Sequence, residues 1–286
     1  MMKGAGSLNR KIVAFIGNKN KRSFEKNIPR LVENLSLKSN GLKLPLHLVS
    51  FSGEKFLNDQ LYSILSFYWN VGLPLKWTIF DDGSYTAKSI ELLNRIPNLE
   101  FIHYDKQDIP PGYPVEQYPP LKKIFLYRTI EIDQTTIFVD SDVLFFKPFR
   151  DFIPVLQKTS WFLPDEHYGY FDPSYVESIP FDMYPCNLGL LIFNAAPDWS
   201  KVTGYIDEQL NHKNGIMIWT DQTAFHKLTR EYNGIMPLDP RYFIVSGTDS
   251  FKIGADFNYT KIAVRHFVGP VRHKMWQIDW RQFEVV

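Results

Sequence analysis

From residue 44 onward, apolar runs and amphipathic stretches take turns along the chain, a pattern of strand and helix in alternation. Leu46-His47-Leu48-Val49-Ser50-Phe51 predicts a strand ending at Ser52-Gly53, and residues 56–70 predict a helix closed by Gly72 and Pro74. Trp77-Thr78-Ile79-Phe80 predicts a second strand ending at Asp81-Asp82-Gly83-Ser84; a helix over 87–95, a strand over 99–103, a Pro-rich loop over 108–120 and a helix over 121–132 follow. Thr136 to Phe146 then reads as one buried strand, apolar throughout except for Asp140-Ser141-Asp142. Beyond Pro148 the pattern predicts strands at 161–163, 187–194 and 262–267, helices at 199–210 and 223–231, and a Tyr/Pro/Asp-rich loop to Pro185.

Such alternation implies an α/β fold with a mixed, mostly parallel central sheet flanked by helices and a ligand site at the carboxyl ends of the strands. No linker or repeat interrupts it, so one domain is expected over 1–286. Its halves are about 44–149 and 150–286, preceded by a strand-helix extension over 1–43. In that extension Lys11 to Gly17 reads as a short strand, and Phe24, Ile28, Leu31, Val32 and Leu35 have helical spacing among basic residues. The basic face reads as solvated on a helix packed against the domain; the alternative is a helix lying on a membrane surface.

Charge and composition remove several classes of function. Lysines and arginines number 32 against 31 acidic residues, with no basic block to cradle a polynucleotide, which argues against a nucleic-acid partner. The single Cys186 excludes an internal disulfide framework and fits a reducing, cytoplasmic setting, and no apolar segment has spanning length. Aromatic residues make up 16%, which is compatible with a carbohydrate ligand because flat rings stack on sugar faces.

The candidate chemistry starts at Asp140 and Asp142. An ionised carboxylate in an apolar run is costly unless a cation or a water-filled mouth compensates it. In extended backbone, positions i and i+2 share a side, so the pair can converge on a hard cation such as Mn2+ or Mg2+. The competing reading of Asp-x-Asp is a solvated turn.

Asp140-Ser141-Asp142 is followed by Cys186-Asn187-Leu188-Gly189, by Asp221-Gln222, and by His266-Phe267-Val268-Gly269 with Lys274-Met275-Trp276. This succession, spanning about 46–276, resembles the glycogenin-like retaining glycosyltransferases of family eight, which have a GT-A fold. The resemblance implies a metal-dependent transfer of sugar from a nucleotide-sugar donor, a UDP-sugar, to a carbohydrate or other hydroxyl acceptor. It implies metal ligation by Asp140, Asp142 and His266, with Ser141 between the carboxylates at the donor. Asn187 and Gly189 match a sugar-contacting Asn-x-Gly, and Asp221 and Gln222 match the pair beside the donor's anomeric carbon. Asp221 or Thr220 also reads as a helix cap.

Gly269 belongs to the His-x-x-Gly segment, and Lys274 matches the diphosphate-binding lysine. The match departs from the family pattern by two extra residues and by Met275 in place of proline, so Arg272 competes for the phosphate. Lys123 falls at the family's basic position beside the donor sugar, with Lys122 and Arg128 competing. Phe51, Ser52 and Asp82 are expected at the base and ribose. The aromatic loop 168–184 and the tail around Trp276 and Trp280 are expected to shape the acceptor pocket, and Arg272, Lys274, Trp276, Trp280 and Arg281 to offer a peripheral membrane contact. Two alternatives stand beside this reading: an inverting transferase with Asp165, Glu166 or Asp182 as base, and a catalytically silent nucleotide-sugar-binding module.

Overall fold

The computed structural model describes residues 5–38, 43–103, 109–179, 184–211, 215–231, 234–254 and 257–284. The elements run α1 (Ala5–Lys38), β1 (Lys43–Ser52), α2 (Leu57–Asn70), β2 (Leu73–Asp81), α3 (Ala87–Leu93), β3 (Leu99–His103), α4 (Pro120–Tyr127), β4 (Thr135–Val139), β5 (Val143–Phe145) and α5 (Phe149–Leu156). Then come β6 (Ser160–Pro164), α6 (Pro173–Val176), β7 (Cys186–Phe193), α7 (Trp199–Leu210), α8 (Thr220–Glu231), β8 (Ile235–Pro237), β9 (Phe243–Ile244), β10 (Val264–His266) and α9 (Arg272–Met275).

Among the described residues, seven strands form the main sheet in the order β3-β2-β1-β4-β7-β6-β8. The β3-β2-β1-β4 portion is parallel, while β7 runs antiparallel to both β4 and β6. Chain order moves outward from β1 to β3 and then returns to the other side of β1 at β4, so a topological switch point lies between β1 and β4. Side-chain parity divides the core. Leu48, Ile137, Val139, Leu190 and Ile192 face the layer containing α1 and α2, whereas Val49, Phe138, Leu191 and Phe193 face α4, α7 and α8.

The single strand expected over 136–146 is two. β4 stops at Val139, Asp140 to Val143 makes a turn closed by the Val143 N–H on the Asp140 carbonyl (3.3 Å), and β5 leaves for a second sheet of order β5-β10-β9. Both flanks are apolar because each is buried in a different sheet. The Asp-x-Asp is therefore a turn, and it is only partly solvated: Asp142 is buried and Asp140 half-buried. The helix expected over 121–132 ends at Tyr127.

The N-terminal strand is also corrected. Residues 11–17 belong to α1, because Val13, Gly17, Phe24, Ile28 and Leu31 fall on one helical face and bury it against the domain. A β-branched and aromatic run had masked that periodicity. Gly17 sits so close to α9 that a Cβ would lie 2.6 Å from the His273 carbonyl oxygen. Further along, Phe24 packs edge-on against Trp276 and Trp280, with ring centroids 5.2 and 5.6 Å away. Both tryptophans are buried, so neither can shape an acceptor pocket or touch a membrane as expected from the sequence. α1 covers them.

Candidate metal and donor site

The two sheets meet at the Asp140–Val143 turn, and this junction brings distant residues together. β5 pairs antiparallel with β10, placing Val143 opposite His266, and the Phe267 N–H donates to the Asp142 carbonyl (2.8 Å). On the other side β4 pairs with β7, and the Asp140 N–H donates to the Gly189 carbonyl (3.0 Å). His266 Nε2 consequently stands 3.0 Å from Asp142 Oδ1 across 124 residues of sequence.

One ligand atom from each of Asp140, Asp142 and His266 lies within 4.8 Å of the others. Donor chemistry fits a divalent cation, with two carboxylate oxygens and an imidazole nitrogen. The hydrogen-bond network fixes the imidazole for that task. Asn187 Oδ1 accepts from the Gly189 N–H (2.8 Å) and lies 2.8 Å from His266 Nδ1, so Nδ1 carries the proton and donates. Nε2 faces Asp142, donating to it while the ring is protonated and offering a lone pair once the ring is neutral. Asn187 Nδ2 donates to Asp165 Oδ2 (2.8 Å), extending the support to β6. Gly189 is required by this packing, since a Cβ there would lie 2.1 Å from His266 Nδ1.

Cations balance the carboxylates. Lys123, on α4, donates to Asp140, and Arg272, on α9, grips Asp142 through Nε (2.8 Å) and a terminal guanidinium nitrogen. Burial alone raises the Asp142 carboxyl, but His266 and Arg272 outweigh it and hold it well below the usual carboxylate range. Burial alone lowers His266, yet the Asp142 charge and hydrogen bond raise it overall. Lys123, likewise desolvated, is raised by Asp140, with Asp221 contributing. Asp221 is pushed up to about 6, first by burial, against the attraction of Lys123 and the Gln222 N–H. Its position in the first turn of α8 beside Lys123 links α8 electrically to the cluster. Gln222 Nε2 is buried without a hydrogen-bond partner among the described residues.

The other expected site residues are more scattered. Phe51 and Ser52 end β1, and the Asp82 N–H donates to the Ser52 carbonyl (2.9 Å), so these three share the strand-end edge beside the switch point. The Asp82 carboxylate accepts from the Ser84 N–H (2.9 Å) and lies over Gly53. Ser141 is buried within the turn, and Gly269 is exposed in the loop after β10. Lys274 is turned elsewhere: its ammonium donates to the Gly254 carbonyl (2.6 Å) and lies 3.3 Å from Asp249. Lys122 lies 3.3 Å from Glu116, and Arg128 lies over the Phe125 ring. Glu166 accepts from the Gly247 N–H (3.2 Å), and Asp182 lies outside the described residues.

One part of the site carries no local sequence signal. Asp172 accepts from Tyr205 (2.9 Å) and Thr220 (3.2 Å), while its N–H donates to Thr223 Oγ1 (2.9 Å), so it pins the aromatic loop to α8 at the turn bearing Asp221 and Gln222. Those partners lie 33 to 51 residues away.

No protein-family model and no curated protein sequence matches the chain. Solved structures do. Galactosyltransferase LgtC, in complex with donor and acceptor sugar analogues, superposes with a TM-score of 0.54 at 15% identity, covering 78% of this chain and 87% of LgtC. The chain has the GT-A glycosyltransferase fold. An active-site glutamine-to-glutamate mutant of LgtC gives 0.55 at 13% identity, with 84% of this chain and all of LgtC covered. The bifunctional glycosyltransferase WbbM gives 0.54 at 13% identity, with 84% of this chain matched to 51% of WbbM. In this GT-A frame the Asp-Asp-His group, two of whose members are buried, occupies the sheet's strand-end junction, and Asp221, Lys123 and Arg272 surround it.

Proposed function

We propose that the chain is a metal-dependent glycosyltransferase that moves a sugar from a UDP-sugar donor to a hydroxyl of a carbohydrate acceptor, with retention of anomeric configuration. The observation that carries this reading is the convergence of Asp140, Asp142 and His266 beside the switch point of a GT-A sheet. Phe51, Ser52 and Asp82 hold the base and ribose along the neighbouring strand ends. Mn2+ or Mg2+ held by the Asp-Asp-His group supplies Lewis-acid neutralisation of the departing diphosphate.

The chain's own residues do the rest. Arg272 already sits on Asp142 and carries spare N–H donors, so it takes the phosphate role, while Lys274 stays with Asp249 and Gly254. Ser141 lies between the two carboxylates, and Gly269 leaves the loop after β10 open toward the diphosphate. Lys123 carries positive charge to the sugar side of Asp140. Asn187 and Gly189 act by holding the His266 imidazole in its ligating tautomer. Asp221 and Gln222 face the anomeric carbon from the first turn of α8, where the unpartnered Gln222 amide is free to bond the sugar. The acceptor hydroxyl attacks on the face the diphosphate leaves, and a phosphate oxygen receives its proton; a double displacement would instead use Asp221 as nucleophile. The acceptor occupies an open cavity of about 740 Å3 next to Asp165, where Glu166, His167, Tyr168 and Tyr184 offer hydrogen bonds and ring faces.

A panel of nucleotide sugars with Mn2+ or Mg2+, read by donor hydrolysis, tests the reading, with UDP-sugars expected to turn over. Asp142→Asn keeps the side-chain shape while removing the charge, and it is expected to abolish metal-dependent UDP binding in calorimetry. Unchanged UDP affinity in the folded variant would overturn the metal site. Inverted anomeric configuration in the product NMR spectrum would overturn retention.

A further inference from the structure

As a helix from Ala5, α1 presents a second face that a strand reading conceals. Leu8, Ile12, Phe15 and Ile16 recur at spacings of four, three and one, opposite the buried Val13–Gly17–Phe24 face, and they are 59, 39, 72 and 38% exposed. The loop after Ser250 extends the patch. Phe251 and Ile253 are both 53% exposed; the Arg10 guanidinium stands 5.9 Å from the Phe251 ring, and Ile16 and Ile253 line one shallow cavity.

Charge along the helix is mostly positive, although Asp279 lies at the edge of the cavity that Ile16 and Ile253 line. Residues 5–30 contain seven Lys and Arg and one Glu, although the whole chain nets only +1. Lys11, Lys19, Arg22 and Lys26 are exposed on the same side as the apolar residues and make no ion pair among the described residues. No described helix is long and apolar enough to cross a membrane. An apolar stripe among unpaired cations fits a helix lying in the headgroup plane. A second copy on this face would set like charges against each other across a twofold axis. Contact between Gly17 and His273 also fixes the helix on α9, so the patch is presented on a rigid element.

We propose that the outer face of α1, with Phe251 and Ile253, docks the protein on an anionic phospholipid bilayer. This surface is separate from the tail tryptophans, and the proposal stands independently of the proposed transferase activity.

The test is flotation of the full chain with phosphatidylcholine vesicles, with and without phosphatidylglycerol. Binding is expected only with the anionic lipid and is expected to fall steeply with salt. Phe15→Glu is expected to weaken it more than tenfold, and Lys19→Glu with Arg22→Glu about fivefold or more for each charge. Phe15→Ser, with its melting transition compared with the parent's, separates lost docking from lost folding. Equal binding to both vesicle types, or anionic binding untouched by these variants in folded protein, would overturn the proposal. So would a dimer that Phe15→Glu dissolves in a protein that ignores vesicles, since a second copy would then cover the face.

Discussion

Replacing Gly189 by alanine perturbs the cluster through a single carbon. The new Cβ would stand 2.1 Å from His266 Nδ1, 2.4 Å from Cε1 and 2.6 Å from Cγ, whereas ordinary contacts begin near 3.4 Å. The imidazole must therefore retreat by about 1.3 Å, because Gly189 lies in a fully buried strand between β4 and β6 and its backbone has no room to yield. The ring is held from both ends, by Asn187 at 2.8 Å and Asp142 at 3.0 Å, and a retreat of that size breaks at least one of these bonds. Loss of a hydrogen bond to a charged buried group costs roughly 1.5–3 kcal/mol, and loss of the support that orients a metal-ligating histidine costs about 10–100-fold in affinity. Calorimetric titration with Mn2+ is expected to show at least that weakening, alongside a melting transition lowered by several degrees. A folded Gly189→Ala protein that binds Mn2+ as the parent does would refute the claim that His266 ligates through the geometry described.

Three further outcomes check the remaining reasoning. With metal chelated, Asp221 held near 6 stays protonated after its unfolded counterpart ionises near 3.8, so the folded state binds the extra proton between those values. Stability from this group is present below about pH 4 and lost as pH rises through 6; Asp221→Asn should gain about 3 kcal/mol over the parent between pH 4 and 8 in urea titrations, and a pH-independent difference would contradict the burial argument. Arg272→Ala is expected to weaken metal-dependent UDP binding about 10–100-fold, whereas Lys274→Met should chiefly lower stability by stripping Asp249 of a buried partner; UDP binding lost only in the Lys274 variant would reverse the two assignments. Trp280→Ala should cost about 3–5 kcal/mol in denaturant unfolding, because the ring is buried against Phe24, and a near-neutral effect would reopen the tail as a surface element.

Local patterning carried much of the fold. Strands β1, β2, β3, β6 and β7 and helices α2, α7 and α8 lie close to where periodicity and punctuation put them, because local periodicity and turn residues bound them, although the Thr220-Asp221 cap expected before α8 lies inside its first turn. The carboxylates at 140 and 142 and the imidazole at 266 were legible as a motif sequence and share one cluster. What chain order could not supply is everything that depends on which neighbour a segment finds. Residues 11–17 have strand composition, and only packing on α9 and the tail makes them helix. Residues 136–146 look like one strand, and only the parting of two sheets folds Asp140 to Val143 into a turn. Lys274 held the family position, yet Asp249 and the Gly254 carbonyl capture it, and Arg272 reaches Asp142. Composition and periodicity are properties of a segment, so sequence determined which elements form and which residues carry charge. The partners of the buried Asp142, namely His266 and Arg272, come to it from 124 and 130 residues along the chain, and that only the tertiary structure decided.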